Sequence, residues 1–339
     1  MLIAVMLVPF AVRDPKIDVM AGIFWCFAAA IIINSGFVLS TPPMLAWTGV
    51  ELGHSGYFLH KQYLGMCASC AILVAFYSLL AGKRRLLSVA MIGASVWLVL
   101  ASNSKTALGF ALLTPLIATI VFFGSGKLKL PMAAVLAAIP IAYFGLAAVI
   151  SNLASRVAFR VYGDATFTGR IFIWDFIETQ TALKPWFGWG FRSFWFVPFS
   201  PINNAPGFVR DMPSSHSGYL DMRLETGYVG LAIFLAFVVA AVYSLEHVRR
   251  INPRRAFALL ALFIYILIMN LMETIWFIHF DPLWVLFLLV TGEAMRHSTT
   301  AFAAPLPPDA QLTKPHLFSQ SRVGLMGLQT ANRVVMAPP

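Results

Sequence analysis

The chain has 339 residues, of which 59% are hydrophobic and only 11% charged, with a mean hydropathy of +0.79. A soluble domain carries about a quarter charged residues, so too little polar surface is available here to cover a globule, and lipid must be the solvent. The net charge of +10 reads as basic cytoplasmic loops of a membrane protein rather than as a nucleic-acid-binding surface.

In chain order, Met1–Phe10 is apolar but shorter than the roughly 20 residues that span a bilayer. It has no basic start or cleavage site of a signal peptide, so the chain is read as beginning part-way through a helix. Apolar runs follow at Val19–Leu39, Tyr63–Ala81, Leu86–Ala101, Thr106–Phe123, Leu130–Ile150, Tyr228–Leu245, Ala256–Ile275 and Pro282–Met295. The last is short and is expected to borrow residues from Trp276–Phe280. The fold class is therefore an all-α polytopic membrane protein of about eight spans plus an N-terminal partial one. Cys26, Cys67 and Cys70 all lie in apolar runs and read as small packing residues, not as a disulfide or redox pair.

The basic residues give the orientation. Arg13 and Lys16, then Lys83, Arg84 and Arg85, then Lys127 and Lys129, then Arg249, Arg250, Arg254 and Arg255 occupy every second connection. Placing that set inside lets every span alternate without conflict. Ser40–Gln62 and Ser151–Gly227 then lie on the outer face. The resulting organisation is a transmembrane bundle over 1–150, a large outer-face loop over 151–227, transmembrane helices over 228–296 and a disordered cytoplasmic tail over 297–339. No internal repeat suggests a transporter built from two halves.

Within the long loop, Thr168 can cap a helix running to about Ala182, with Ile171, Ile173, Trp174 and Ile177 on its apolar side, and Lys184-Pro185 ends it. A glycine- and aromatic-rich turn follows from Trp186 to Trp195. A second helix fits Ser215–Thr226, with Gly227 closing it. His216, Tyr219 and Arg223 at i, i+3 and i+7 would share one face, and Asp221 and Glu225 another. Arginines beside aromatic rings at a membrane surface suit ligands with sugar faces and phosphate oxygens.

Thr168-Gly169-Arg170, Trp174, Lys184-Pro185, Gly188-Trp189-Gly190 and Phe194 occur in order. So do His216-Ser217-Gly218-Tyr219-Leu220 and Glu225-Thr226-Gly227-Tyr228-Val229-Gly230-Leu231. Together these resemble the O-antigen ligase/polymerase superfamily, in which a large periplasmic loop carries a similar arginine, a "P…GxG" turn and a histidine before an "E-x-G-x-x-G" helix entry. His60-Lys61-Gln62-Tyr63-Leu64-Gly65 is similar to the "HKN-x-x-G" element of its exopolysaccharide-polymerase branch, with Gln62 in place of Asn. Ser102-Asn103-Ser104-Lys105-Thr106 resembles its "S-x-S-[RK]-T" segment. The likeness covers roughly residues 50–290. It implies a membrane-embedded transferase that works without metal or nucleotide sugar, moving a glycan from an undecaprenyl-diphosphate carrier to an acceptor. The acceptor is lipid A core in ligases and another carrier-bound repeat unit in polymerases.

That reaction needs positive charge on the departing diphosphate and a base for the acceptor hydroxyl. Arg170 and Arg192, then Lys105, Lys61 and His60, are the candidates for the first need, and each has a plainer reading as a solvated loop residue. His216 is the candidate base, and Glu225 is expected to orient His216 or Arg170. Glu273, with Asn270 nearby, is an ionisable group at membrane depth and a site candidate for that reason. His279 and Asp281 lie close together, but a third metal ligand is not evident at suitable spacing. A transporter or flippase of lipid-linked sugar is the competing function. It would need the arginines and no base.

Overall fold

The computed structural model describes residues 17–45, 52–149, 156, 159–160, 163, 166–195, 197–278 and 281–302. The partial N-terminal span, Arg13, Lys16, His279 and the tail beyond 302 lie outside them.

Each of the eight apolar runs forms a helix. These are α1 Val19–Ser40, α2 Lys61–Leu80, α3 Arg85–Ser102, α4 Lys105–Leu128, α5 Met132–Val149, α7 Gly218–Ile251, α8 Pro253–Met269 and α9 Pro282–Phe302; α6, Arg170–Leu183, belongs to the long loop. Five of them (α1, α2, α3, α4 and α7) are long and apolar enough to cross a membrane. Polar residues start these helices where the pattern needs a boundary. Asp18 accepts from the N–H of Ala21 at α1 and Ser104 from that of Ala107 at α4. Asn252 accepts from Arg255 ahead of Pro253 at α8, and Asp281 from Leu283 and Trp284 at α9.

Two expected boundaries move. The run Ala256–Ile275 ends as helix at Met269, because the Asn270 amide turns back to donate to Ile266 while its carbonyl oxygen accepts from the N–H of Ile275. The last helix begins only at Pro282 and gains its length at the other end, reaching Phe302. Residues 270–281 thereby become a connection, with Glu273 in it.

The core of the bundle gathers around α2 and α8. α8 is apolar on nearly every side and buries Leu259 to Ile266 without a break, as a helix surrounded by other helices should. Cys67 and Cys70 are buried in α2 and packed in that core. Many large apolar side chains on α1, α3, α4 and α7 instead face outward, among them Ile32, Leu112 and Ile233, which suits lipid and not water.

The long loop has a smaller core of its own, formed by Ile173, Ile177, Phe194, Ile202, Ala205, Val209 and Leu224, with Trp174, Trp189 and Trp195 packed on it. At about 1.5–3 kcal/mol for each fully buried large apolar side chain, this cluster is enough to order the loop as a folded unit. Between α1 and α2, a two-residue antiparallel pair, Met44–Leu45 with Leu52–Gly53, is the one β element among the described residues.

Candidate functional site

Three chain segments meet at one end of the bundle. Residues 166–170 lead into α6, residues 214–218 lead into α7, and residues 270–276 follow α8. Phe167, Thr168 and Gly169 all have positive φ, at 53°, 62° and 85°. Three left-handed residues in a row make a turn that a regular element cannot, and for the two with a Cβ this costs about 1–2 kcal/mol each. Thr168 is therefore not the cap. Gly169 takes that position, its N–H donates to Thr166 Oγ1 at 3.0 Å, and Arg170 becomes the first helical residue. A cation is unfavourable at a helix N-terminus, so Arg170 needs a partner, and Glu273 supplies one.

Arg170 Nη2 lies 2.7 Å from Glu273 Oε1, and His216 Nδ1 lies 3.4 Å from Glu273 Oε2. One carboxylate thus bridges the arginine and the histidine, with the Arg170 and Glu273 side chains only 13% and 15% exposed. Burial opposes ionisation of Glu273. The hydrogen bond from His216 and the Arg170 charge overcome it and hold the carboxyl below its usual value. His60, at the cap of α2, is close enough to feel the charges of Glu273, His216 and Arg170. Desolvation lowers its imidazole, and the attraction of Glu273 only partly offsets this.

His216 does not share a helical face with Tyr219 and Arg223, because the helix starts only at Gly218. His216 has φ 53°, a left-handed turn that sends its ring toward Glu273. Tyr219 donates to Leu267 O at 3.0 Å, and Arg223 pairs with Glu178 on α6. The three side chains go to three places.

The family-like glycine motifs interlock. α7 is broken at Gly227, which has φ 67° and ψ −170°. A helix break orphans carbonyls on one side and N–H groups on the other, and the turn after α6 meets both. Trp189 and Gly190 donate to the carbonyls of Leu224 and Glu225 at 2.8 and 2.9 Å. Tyr228 and Val229 donate to the carbonyls of Pro185 and Trp186 at 2.8 and 3.2 Å. A Cβ on Gly227 would collide with the Trp186 carbonyl, and one on Gly188 with the Glu225 backbone. Both glycines are required by close backbone approach.

Of the other predicted residues, Glu225 is placed beside Arg192, whose backbone N–H it accepts, and not beside Arg170 or His216. The carboxylate that contacts Arg170 and His216 is that of Glu273 and not that of Glu225. Arg192 is exposed and Lys105 begins α4, also exposed. Lys61 Nζ reaches the Asn103 carbonyl at 3.5 Å, which joins the "HKN"-like and "S-x-S-K-T"-like segments. Asn103 Nδ2 completes that junction by donating to Leu52 O at 2.8 Å. Among the described residues no cluster of three His, Cys, Asp or Glu side chains could hold a metal ion.

These features define a multi-pass helical membrane protein with a partly buried Arg–Glu–His cluster at one end of its bundle. The O-antigen ligase family model matches residues 90–235. Proteins named "putative polysaccharide ligase" are similar. That of Rickettsia typhi is 29% identical over 127 residues, covering 35% of this chain and 31% of the relative. That of Rickettsia prowazekii is 28% identical over the same length and shares, and that of Rickettsia felis 31% over 91 residues, 26% of this chain and 22% of the relative. The match thus spans about a third or less of these relatives' length. The resemblance to the O-antigen ligase/polymerase superfamily therefore holds, with Arg170 and His216 inside the matched stretch and Glu273 and His60 outside it.

Proposed function

We propose that this protein is a membrane glycan transferase of the O-antigen ligase/polymerase class. It would take its donor from an undecaprenyl-diphosphate carrier and act at the outer face of the bacterial inner membrane. The observation that carries this reading is the single Glu273 carboxylate shared by Arg170 and His216. An imidazole whose Nδ1 is held by a carboxylate presents Nε2 as the free acceptor. In the reaction, an acceptor sugar hydroxyl attacks the anomeric carbon, and the bond from that carbon to the diphosphate oxygen breaks. The hydroxyl proton passes to His216 Nε2, and the diphosphate leaves with the bond's electron pair. Arg170, with Arg192, Lys105, His60 and Lys61 around the same end, would stabilise that leaving charge. Glu225 supports the turn that carries Arg192 rather than touching the reacting groups.

With the basic end of the bundle taken as cytoplasmic, residues 151–227 would lie in the periplasm and the eight apolar helices would be eight spans. The acceptor is lipid A core or a carrier-bound glycan. The His60-Lys61 element favours the second, and with it exopolysaccharide polymerisation. A transporter of lipid-linked sugar would use the arginine but has no need of a carboxylate-held imidazole.

His216→Ala removes the base and leaves Glu273 paired with Arg170, so folding is retained. Transfer is expected to fall by about 10²–10⁴-fold. The check is the amount of high-mass surface glycan in cells lacking the native gene, with the level of membrane-inserted protein as control. Unchanged glycan with normal protein levels would sink the transferase reading. Deleting the gene separates the acceptors: loss of all high-mass polymer indicates polymerase, and polymer left unattached to lipid A indicates ligase.

A further inference from the structure

Asp221 lies in the first turns of α7, only 6% exposed, with four short contacts on its carboxylate. Oδ1 accepts from the Ser215 N–H and from Trp195 Nε1, both at 3.1 Å. Oδ2 accepts from Thr274 Oγ1 at 2.5 Å and shares the Ser215 N–H at 3.3 Å. Ser215 immediately precedes His216, and Thr274 immediately follows Glu273. The carboxylate therefore grips the chain next to each member of the His216–Glu273 hydrogen bond. Ser215 is tied further, because its carbonyl accepts from Trp174 Nε1 at 2.9 Å, and Trp174 belongs to the helix that Arg170 begins.

We propose that Asp221 is a positioning residue for the transfer reaction, setting the approach of His216 to Glu273 through Ser215 and Thr274 without touching substrate. The inference rests on the reading of His216 as the base. Packing alone does not explain a carboxylate here. Among the described residues no cation pairs with Asp221, and burying an unpaired charge costs several kcal/mol unless hydrogen bonds offset it. What a carboxylate offers is two acceptor oxygens with no donor, able to hold an N–H, an indole and a hydroxyl at once. An asparagine would turn an NH₂ toward one of those donors. Misplacing a catalytic group by about 1 Å costs on the order of 10²-fold in rate, so a device that fixes the two flanking residues acts on the rate and not only on stability.

The test uses the full-length protein in membrane vesicles charged with the source cell's own polyprenyl-diphosphate-linked glycan, following the release of free polyprenyl diphosphate against pH and donor concentration. Thr274→Val removes one arm of the clamp and keeps the side-chain shape. Asp221→Asn keeps the shape and loses an acceptor. Trp195→Phe removes a hydrogen bond to the same carboxylate that does not lead to the pair.

Thr274→Val and Asp221→Asn are expected to lower kcat roughly tenfold to hundredfold with KM for the donor changed less than about twofold. Their pH–rate profile should also differ from that of the unmodified protein, because Glu273 is faced by Arg170, His216, His60, Tyr63 and Asp281 and is held ionised mainly by the first two. A slackened His216 bond lets burial raise it. Trp195→Phe should lower thermal stability while keeping rate and pH profile. Normal kcat and pH profile in both Thr274→Val and Asp221→Asn, with His216→Ala inactive, overturns the positioning role alone. Retained transfer in His216→Ala overturns the base assignment and this role with it.

Discussion

At the basic end of the bundle, Arg255 lies 2.5 Å from Glu293 and 3.5 Å from Asp18, and Arg296 holds Glu293 at 3.0 Å. At the opposite end, Arg170 lies 2.7 Å from Glu273, whose other oxygen faces His216 at 3.4 Å. Both clusters bury a glutamate under arginine, and both leave a guanidinium Nε without a hydrogen-bond partner, on Arg255 and Arg170 alike. A spare donor therefore does not separate a ligand site from a clasp. The differences lie elsewhere. Glu293 is wholly buried between two arginines, and Arg296 also reaches the Ile17 carbonyl, so the group ties α1, α8 and α9 together. Glu273 keeps some exposure, shares its charge with a titratable ring, and is approached by left-handed backbone on two sides, at residues 167–169 and at His216. Left-handed backbone also flanks Lys83 at the basic end, at Gly82 and Arg84, so the residual exposure and the titratable ring are what set the Glu273 cluster apart.

The sharpest way to break that contrast is to remove each carboxylate in turn. Glu273→Ala and Glu293→Ala each strand a buried guanidinium, and each should cost about 3–5 kcal/mol of stability, read as a lowered unfolding temperature in detergent. Only Glu273→Ala should also lose transfer per folded molecule. Equal loss of specific activity in both variants would erase the distinction between the two ends. The pH dependence has a definite sign. Because the Glu273 carboxyl is held below its usual value, its contribution is full above about pH 4.3 and is lost as pH falls through the lowered folded value. Glu273→Gln should remove that acid dependence while leaving the part that comes from other groups.

A smaller effect is expected at the break in α7. Gly227→Ala places a Cβ in a left-handed conformation against the Trp186 carbonyl, which costs about 1–3 kcal/mol and loosens the turn that docks on the break. Thermal unfolding measures the cost. Limited proteolysis around residues 186–193 should show the loosening, with the helices at the basic end unaffected. Protection of that turn equal to the unmodified protein would show that the two glycine motifs are not coupled.

The bundle was largely legible in the sequence because lipid imposes long apolar runs, and each run is a helix in the structure. Gly227 was legible as a helix boundary, since glycine there signals a left-handed backbone. Three features were hidden. His216 fits a helical face by spacing, but periodicity cannot report that the helix begins only at Gly218. Thr168 has the chemistry of a cap, and only the left-handed run before Arg170 shows that Gly169 takes the place. Glu225 sits nine residues from His216 and was a natural partner by proximity in sequence. Glu273 lies 57 residues away and becomes the partner through the fold, when α8 stops at Met269 and frees the following connection. Its signal in the sequence was an ionisable side chain at the end of an apolar run, which marks a candidate without naming its partner.

The smallest expected effect concerns the surface of the basic end. Lys83 Nζ lies 3.2 Å from Asp18 Oδ2 with the side chains 54% and 40% exposed, and an exposed pair of this kind is worth about 0–1 kcal/mol. Asp18 also caps α1 through the N–H of Ala21, a contact worth about 0.5–2 kcal/mol by itself. Asp18→Ala should therefore destabilise more than Lys83→Ala, although both break the same ion pair. Because Lys83→Cys barely perturbs the fold, it can report which side of the membrane this end occupies. In a chain with Cys26, Cys67 and Cys70 replaced, an impermeant thiol reagent should label Lys83→Cys only from the cytoplasmic side and Arg192→Cys only from the periplasmic side. Labelling of both from one side would place the two ionic clusters on the same face of the membrane, and the contrast between a buried clasp and an outward-facing reaction centre would lose its basis.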